Sequence, residues 1–257
     1  MIVGSIKEDL SSEKRVSLTP ETTKNIIGLG LKVCIEKDYA KHLGIQDSEY
    51  KNVGAEIQSS SDQVLSISNL ILSVNCPSEH VIKSLKDNTI LVGMLNHSKN
   101  KNQLNQILQR KVNIFSLELL PRITRAQSMD VLSSQSNLAG YRAVIDCVAE
   151  FEKAVPMMMT AAGTVPAARV LVIGAGVAGL QAIATAKRLG AIVSATDVRA
   201  ASKEQVESLG GKFLSVEQSE DMETAGGYAK EASDDYKKKQ AEMMKEALKK
   251  NDIVICT

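Results

Sequence analysis

The chain has 257 residues, and its 31 Lys and Arg against 30 Asp and Glu leave a formal net charge of +1. Balanced charge removes the electrostatic basis for nucleic-acid binding, and aromatic residues at 3%, with no Trp, give bases little to stack on. No apolar run approaches the ~20 residues of a membrane helix, neither Cys34, Cys76, Cys147 and Cys256 nor the three histidines show metal-ligand spacing, and the length suffices for two domains.

The opening MIVGSIKEDL reads as a strand over residues 2–6 and lacks the basic start and apolar stretch of a secretory signal. Thr19-Pro20-Glu21 starts a helix, with Thr19 as cap and Pro20 in the first turn, and Gly28 and Gly30 end it. Strands are expected at residues 32–36, 70–74, 90–94 and 112–116. Helices are expected between them, at 61–67, 79–85 and 104–109. Such alternation predicts a parallel sheet with helices on both faces. This half has no GxGxxG of its own, so it reads as a Rossmann-like domain without a nucleotide fingerprint.

A polar loop at residues 119–130 follows. Leu138, Tyr141, Ile145 and Val148 then recur at helical spacing, which predicts a long helix over 131–151 connecting two domains. Met157, Met158 and Met159 read as apolar filler in a buried connection. Cys34 and Cys256 lie in apolar strands and read as reduced, buried thiols.

The most informative stretch is RVLVIGAGVAGLQAIATAKRLGAIVSATD, residues 169–197. A short apolar strand runs straight into Gly174-Ala-Gly176-Val-Ala-Gly179, an Ala-rich helix stops at Gly190, and a second strand ends in Asp197. Gly174 permits the tight turn, Gly176 lets the backbone approach a pyrophosphate, and Gly179 lets the helix pack on the strand. The pyrophosphate would sit on free amides at the positive end of the helix dipole. Asp197 stands where a carboxylate hydrogen-bonds an adenosine ribose. It would repel a 2′-phosphate, which favours NAD over NADP, although Arg199 weakens that preference.

Beyond it, a helix at 202–209 and a strand at 212–214 are expected. Residues 216–236 are acidic and contain glycine, and are long for an ordinary connection, either a functional lid or disordered. A lysine-rich helix over 236–250, its charges solvated, and a strand at 252–257 complete the pattern. The expected fold class is α/β. Two Rossmann-like, doubly wound parallel-sheet domains, 1–130 and 166–257, are joined by the long helix and linker at 131–165. The sequence ends inside the second domain.

Several stretches resemble the NAD(H)-binding component of proton-translocating NAD(P) transhydrogenases. They are PRITRAQSMDVLSSQSNLAGYRAV (121–144), PMMMTAAGTVP (156–166), ATDVRAA (195–201), EQVESLGGKF (204–213) and TAGGYAK (224–230), with Arg15 and SLTP (17–20) matching the start of the family's first domain. The resemblance implies that the chain binds NAD(H) and exchanges hydride directly with NADP(H) held on a partner domain. A membrane domain would couple this to proton movement. It also implies a homodimer, attached to the membrane only through partner domains, on the cytoplasmic or mitochondrial-matrix side.

Carried over by position, Arg122, Gln127, Asp130 and Ser133 surround the nicotinamide. Gly174, Gly176, Val177, Ala178, Gly179, Asp197, Val198 and Arg199 hold the rest of the dinucleotide. Gly227 and Tyr228 belong to a mobile loop that closes over it. On residue type alone, Asp130 and Ser133 read as helix caps and Arg122 as a surface residue. Two alternatives stand beside this reading. One is an amino-acid oxidoreductase like alanine dehydrogenase, whose lysine and histidine positions fall here on Ser73 and Asn96, with His97 one residue away. The other is an NAD-binding sensor without chemistry.

Overall fold

The computed structural model describes residues 1–121, 123–199, 201–215 and 234–257, and for 234–237 the backbone alone. The chain falls into two compact units, Met1–Val131 and Leu132–Thr257.

The first unit runs β1 (Ile2–Ser5), α1 (Pro20–Gly28), β2 (Lys32–Glu36), a 3-10 turn (Lys41–Leu43), α2 (Asp47–Asn52), β3 (Glu56–Gln58), α3 (Ser61–Ile67), β4 (Leu70–Leu72), α4 (Glu79–Ser84), β5 (Ile90–Gly93), α5 (Lys101–Gln109) and β6 (Asn113–Ser116). Two further 3-10 turns, Leu117–Leu119 and Thr124–Met129, close it. All six strands are parallel, in the order β3-β2-β1-β4-β5-β6. Successive side chains of a strand point to opposite faces, and two cores result. Val3, Val33 and Ile35 face α1 and α2, packing with Leu18, Tyr39 and Tyr50. Cys34, Ile71 and Leu91 face α3, α4 and α5, packing with Val64, Leu65, Ile82 and Ile107.

Local chemistry fixes the helix starts. The Thr22 amide donates to Thr19 Oγ1 (3.2 Å) while the Thr19 amide donates to Thr22 Oγ1 (2.8 Å), and Pro20 opens α1. Ser60 caps α3 through the Gln63 amide. The buried Tyr39 hydroxyl sits between Ser5 Oγ (2.8 Å) and Ser17 Oγ (3.0 Å) and accepts the Ser17 amide. This ties β1, the approach to α1 and the end of β2 without leaving the phenol unpaired. The expected strands and helices of this half all form, within a few residues of their expected bounds. The sequence pattern gives no sign of α2 and β3, which are too short to show a period.

The second unit runs α6 (Val131–Glu150), β7 (Met158–Thr160), β8 (Gly163–Val165), β9 (Arg169–Ile173), α7 (Val177–Arg188), β10 (Ile192–Thr196), α8 (Ser202–Ser208), β11 (Lys212–Phe213), α9 (Asp234–Leu248) and β12 (Ile253–Cys256). Its parallel sheet has the order β11-β10-β9-β12. The core gathers Val170, Val172, Val193, Ala195, Ile253 and Ile255 against Ala182, Ile183 and Ala186 of α7. The long helix α6 lays Ala143, Val144, Cys147 and Val148 on the same core.

Two expectations are corrected. Met157, Met158 and Met159 are not buried filler, because Met158 and Met159 lie in an antiparallel hairpin, β7 with β8, whose six residues are all exposed. Met159 is 74% exposed. Cys34 is buried, but Cys256 is exposed. Alternation along β12 turns Ile253 and Ile255 into the core and leaves Val254 and Cys256 on the other face.

Candidate functional site

In an open parallel sheet, ligands bind beyond the carboxyl ends of the strands, where the strand order reverses. In the second unit that point lies between β9 and β12, and the glycine-rich turn occupies it. Gly174 has φ +95°, a left-handed conformation that strains any other residue. Its amide donates to the Thr196 carbonyl (2.8 Å), and its own carbonyl accepts from Thr257 Oγ1 (3.0 Å). A Cβ on Gly179 would run into the Gly174 carbonyl, so the helix reaches the strand only because Gly179 has none.

Gly176 differs. A Cβ built there meets nothing within 4 Å. Gly176 is also the N-cap of α7, with no side chain capping the helix. The first amides of a helix lack intrahelical partners, and here Val177, exposed, and Ala178, half-buried, carry them at an open edge. The turn therefore combines free donors, the positive end of a twelve-residue helix and room for an approaching group. That fits the pyrophosphate of a dinucleotide.

Asp197 follows β10, and its side chain is only 7% exposed. Its Oδ2 accepts the Ala175 amide (2.7 Å), inside the glycine-rich turn. Arg199 grips it from the side, Nε to Oδ1 and Nη2 to Oδ2 at 2.9 Å each, and the Arg199 amide also reaches Oδ1 (2.9 Å). Burial pushes the Asp197 carboxyl up, but the Arg199 side chain and the two amides outweigh it and hold it below its ordinary 3.8. The acid is thus charged, as a ribose acceptor must be, and it braces the turn as well. Val198 is half-buried beside it.

The remaining expected residues are placed less closely. Gln127 is exposed on the 3-10 turn Thr124–Met129, and its carbonyl accepts the Asp130 amide (3.3 Å). Ser133 stands, half-buried, in the first turn of α6. Arg122, Gly227 and Tyr228, with the expected lid at 216–233, lie outside the described residues.

The first unit has the same reversal, between β1 and β4, but fills it with its own acids. Glu8 Oε1 accepts the Val74 amide (2.6 Å) just past β4. Burial raises the Glu8 carboxyl despite that bond. Glu13 accepts Arg15 Nε (2.8 Å), the Arg15 amide (2.9 Å) and Asn75 Nδ2 (2.9 Å). Glu118 Oε2 accepts the Leu95 amide past β5 (3.2 Å). Main-chain donors that would hold a ligand's anion are already used, which gives the missing fingerprint a physical counterpart. Ser73 lies at the end of β4 with a buried, unpartnered Oγ, and Asn96 adopts φ +46°.

Hydrogen bonds from Arg15, against the cost of burial, push the Glu13 carboxyl from 4.5 down to about 2. A lowered carboxyl stabilises the fold above its unfolded value and loses that contribution as pH falls through the folded one. Glu13→Gln should therefore cost about 1 kcal/mol at neutral pH, discounted for the half-exposed Arg15. The gap to the parent should close as pH falls from about 4.5 towards 2. Thermal unfolding of both proteins between pH 7 and 3 checks this, and a gap that widens in acid contradicts it.

Two family models cover nearly the whole chain. Residues 4–139 match "Alanine dehydrogenase/PNT, N-terminal domain", and residues 143–257 match "Alanine dehydrogenase/PNT, C-terminal domain". The chain belongs to the alanine dehydrogenase/PNT family. Within it, the chain is 52% identical over 264 residues to the first of the separate chains that make up the NAD(P) transhydrogenase alpha subunit of Rhodospirillum rubrum, covering all of this chain and 69% of the relative. The crystal structure of transhydrogenase from Sinorhizobium meliloti superposes with a TM-score of 0.86 at 43% identity, again over all of this chain and 69% of that one. Alanine dehydrogenase of Staphylococcus haemolyticus is 30% identical over 202 residues, 77% of this chain and 53% of its own. Both Rossmann-like units are thus family architecture. Among the described residues, no helix is long and apolar enough to cross a membrane.

Sequence reasoning about this alanine dehydrogenase/PNT member passed over two features. One is the Ala175–Asp197 bond, which spans 22 positions. The other is Gly140, buried in the middle of α6. A glycine inside an otherwise good helix was the available signal for the second.

Proposed function

We propose that this chain is the NAD(H)-binding component of a proton-translocating NAD(P) transhydrogenase. In that reading it presents NAD(H) for direct hydride exchange with NADP(H) on a partner domain, while a membrane domain couples the exchange to proton movement. The observation that carries it is the site at β9 and β10: open space over Gly176, an uncapped α7 and a charged Asp197. The names of the relatives at 43% and 52% identity point the same way.

Gly174 and Gly179 shape the turn, and the Gly176–Ala178 backbone takes the pyrophosphate. Asp197 takes the adenosine ribose, with Val198 and Arg199 beside it and Gly227 and Tyr228 closing over it. Arg122, Gln127, Asp130 and Ser133 flank the nicotinamide. Gln127 and Ser133 can hydrogen-bond a carboxamide or ribose, and Arg122 with Asp130 supplies opposite charges that can follow the ring's change of charge. When bound, the dinucleotide supplies or accepts a hydride at its ring. Passage between two nicotinamides needs no general base, so these residues act by positioning and by excluding water. A homodimer, joined to the membrane through its partner domains, completes the proposal.

The test mixes the full-length protein with an NADP-binding partner domain, NADH and an oxidised NADP analogue. Turnover, with NADH bound far more tightly than NADPH, is the expected result. Alanine-dependent reduction of NAD, or NADH binding without turnover, would replace it with the dehydrogenase or the sensor reading respectively.

A further inference from the structure

Gly140 has a cost that its surroundings must justify. Glycine in a helix interior weakens the helix relative to alanine, yet it stands at the tenth of twenty residues of α6. The justification is a close approach. A Cβ built on Gly140 would fall onto the carbonyl oxygen of Ala178, with the Ala178 carbonyl carbon at 2.8 Å and its Cα at 3.0 Å. Ala178 belongs to the glycine-rich turn itself, at the start of α7. The backbones of α6 and α7 therefore touch where the pyrophosphate is proposed to sit.

A second contact lies one turn earlier on the same face, where Asn137 Nδ2 donates to Gln181 Oε1 (3.3 Å). Further along, Val144, Cys147 and Val148 continue the stripe into the core. Positions 137, 140, 144 and 147 or 148 follow helical spacing, so one ridge of α6 is keyed onto α7. At the other end of that ridge, Ser133 stands two turns before Gly140, about 10 Å along the axis.

We propose that Gly140 is a positioning residue: its lack of a side chain sets the register of α6 on the pyrophosphate-binding turn, and so fixes where Ser133 and the loop before it meet the nicotinamide. The inference rests on the functional reading above. The anchoring of the two helices decides which one yields to an added methyl. The start of α7 is held by Gly179 against Gly174 and by the Ala175–Asp197 bond. The first nine residues of α6 bury no side chain fully. The front of α6 swings away, and the adenosine half of the site stays.

ADP-ribose, which carries the adenosine and pyrophosphate but no nicotinamide, separates the two halves. In the full-length protein with its partner domain, Gly140→Ala should bind ADP-ribose within about twofold of the parent and transfer hydride about a hundredfold more slowly. Asn137→Ala adds no volume and keeps the proposal falsifiable should Gly140→Ala fold badly. It should slow transfer about threefold with ADP-ribose binding unchanged. Hydride transfer at the parental rate in both variants overturns the proposal. So does ADP-ribose affinity that falls in step with the rate, since that marks general collapse of the turn. A parent protein that binds ADP-ribose yet transfers no hydride refutes the functional reading instead.

Discussion

Gly179→Ala is expected to abolish NADH binding and to destabilise the second unit by about 3 kcal/mol, whereas Gly176→Ala should abolish binding and leave stability unchanged. The two glycines are three positions apart in one motif but do opposite things. A methyl on Gly179 drives into the Gly174 carbonyl and comes within 3.0 Å of Thr257 Oγ1. The Gly174 carbonyl cannot move aside, because the Gly174 amide is bonded to Thr196 and its φ is already left-handed. Strand and helix must separate, and the turn is lost with them. A methyl on Gly176 meets no protein atom, and φ −73° suits alanine. It fills only the space a pyrophosphate would enter. Calorimetric titration with NADH and thermal unfolding of each variant decide the matter. Equal loss of stability in both would show that the space over Gly176 is not reserved for a ligand.

Asp197→Asn should weaken NADH binding about thirtyfold and bring NADPH to within about tenfold of it. The carboxylate neutralises Arg199, accepts the Ala175 amide and is proposed to take the ribose. Asparagine is nearly isosteric and its amide oxygen can still accept one bond, so the fold survives. The charge does not. Arg199 then stands as an uncompensated cation where a 2′-phosphate would lie, and the repulsion that rejects NADPH becomes attraction. Titrations with both dinucleotides measure the ratio. An unaltered preference for NADH would place the ribose away from Asp197. The lowered Asp197 carboxyl stays ionised through the neutral range. Selectivity that depends on it is therefore fully present above its ordinary 3.8 and is lost only in strong acid.

What the sequence discloses and what it hides divide along distance. Thr19 capping α1, Ser60 capping α3 and the path from β9 through Gly179 to Asp197 are local, and each is legible as a short string. The partners that define the sites are not. Glu8 reaches the Val74 amide across 66 positions and Asn75 reaches Glu13 across 62, so no window of sequence contains either pair. Cys256 shows a subtler limit: an apolar strand announces burial, but only its neighbours decide which alternate side chains receive it. Methionines at 157–159 read as core because Met usually fills cores, and the hairpin exposes them because Thr160 to Gly163 turns the chain back on itself before any core is reached.

That hairpin has a consequence for local opening. A two-stranded ribbon is marginal by itself in water, and all six of its residues face solvent. Its amides should trade their hydrogens for deuterium orders of magnitude sooner than those of β9, whose central residues Val170, Leu171 and Val172 are fully enclosed. Any molecule that settles on the ribbon will announce itself there first, as a slowing of exchange at Met159 and Thr164, the cross-strand pair at its middle.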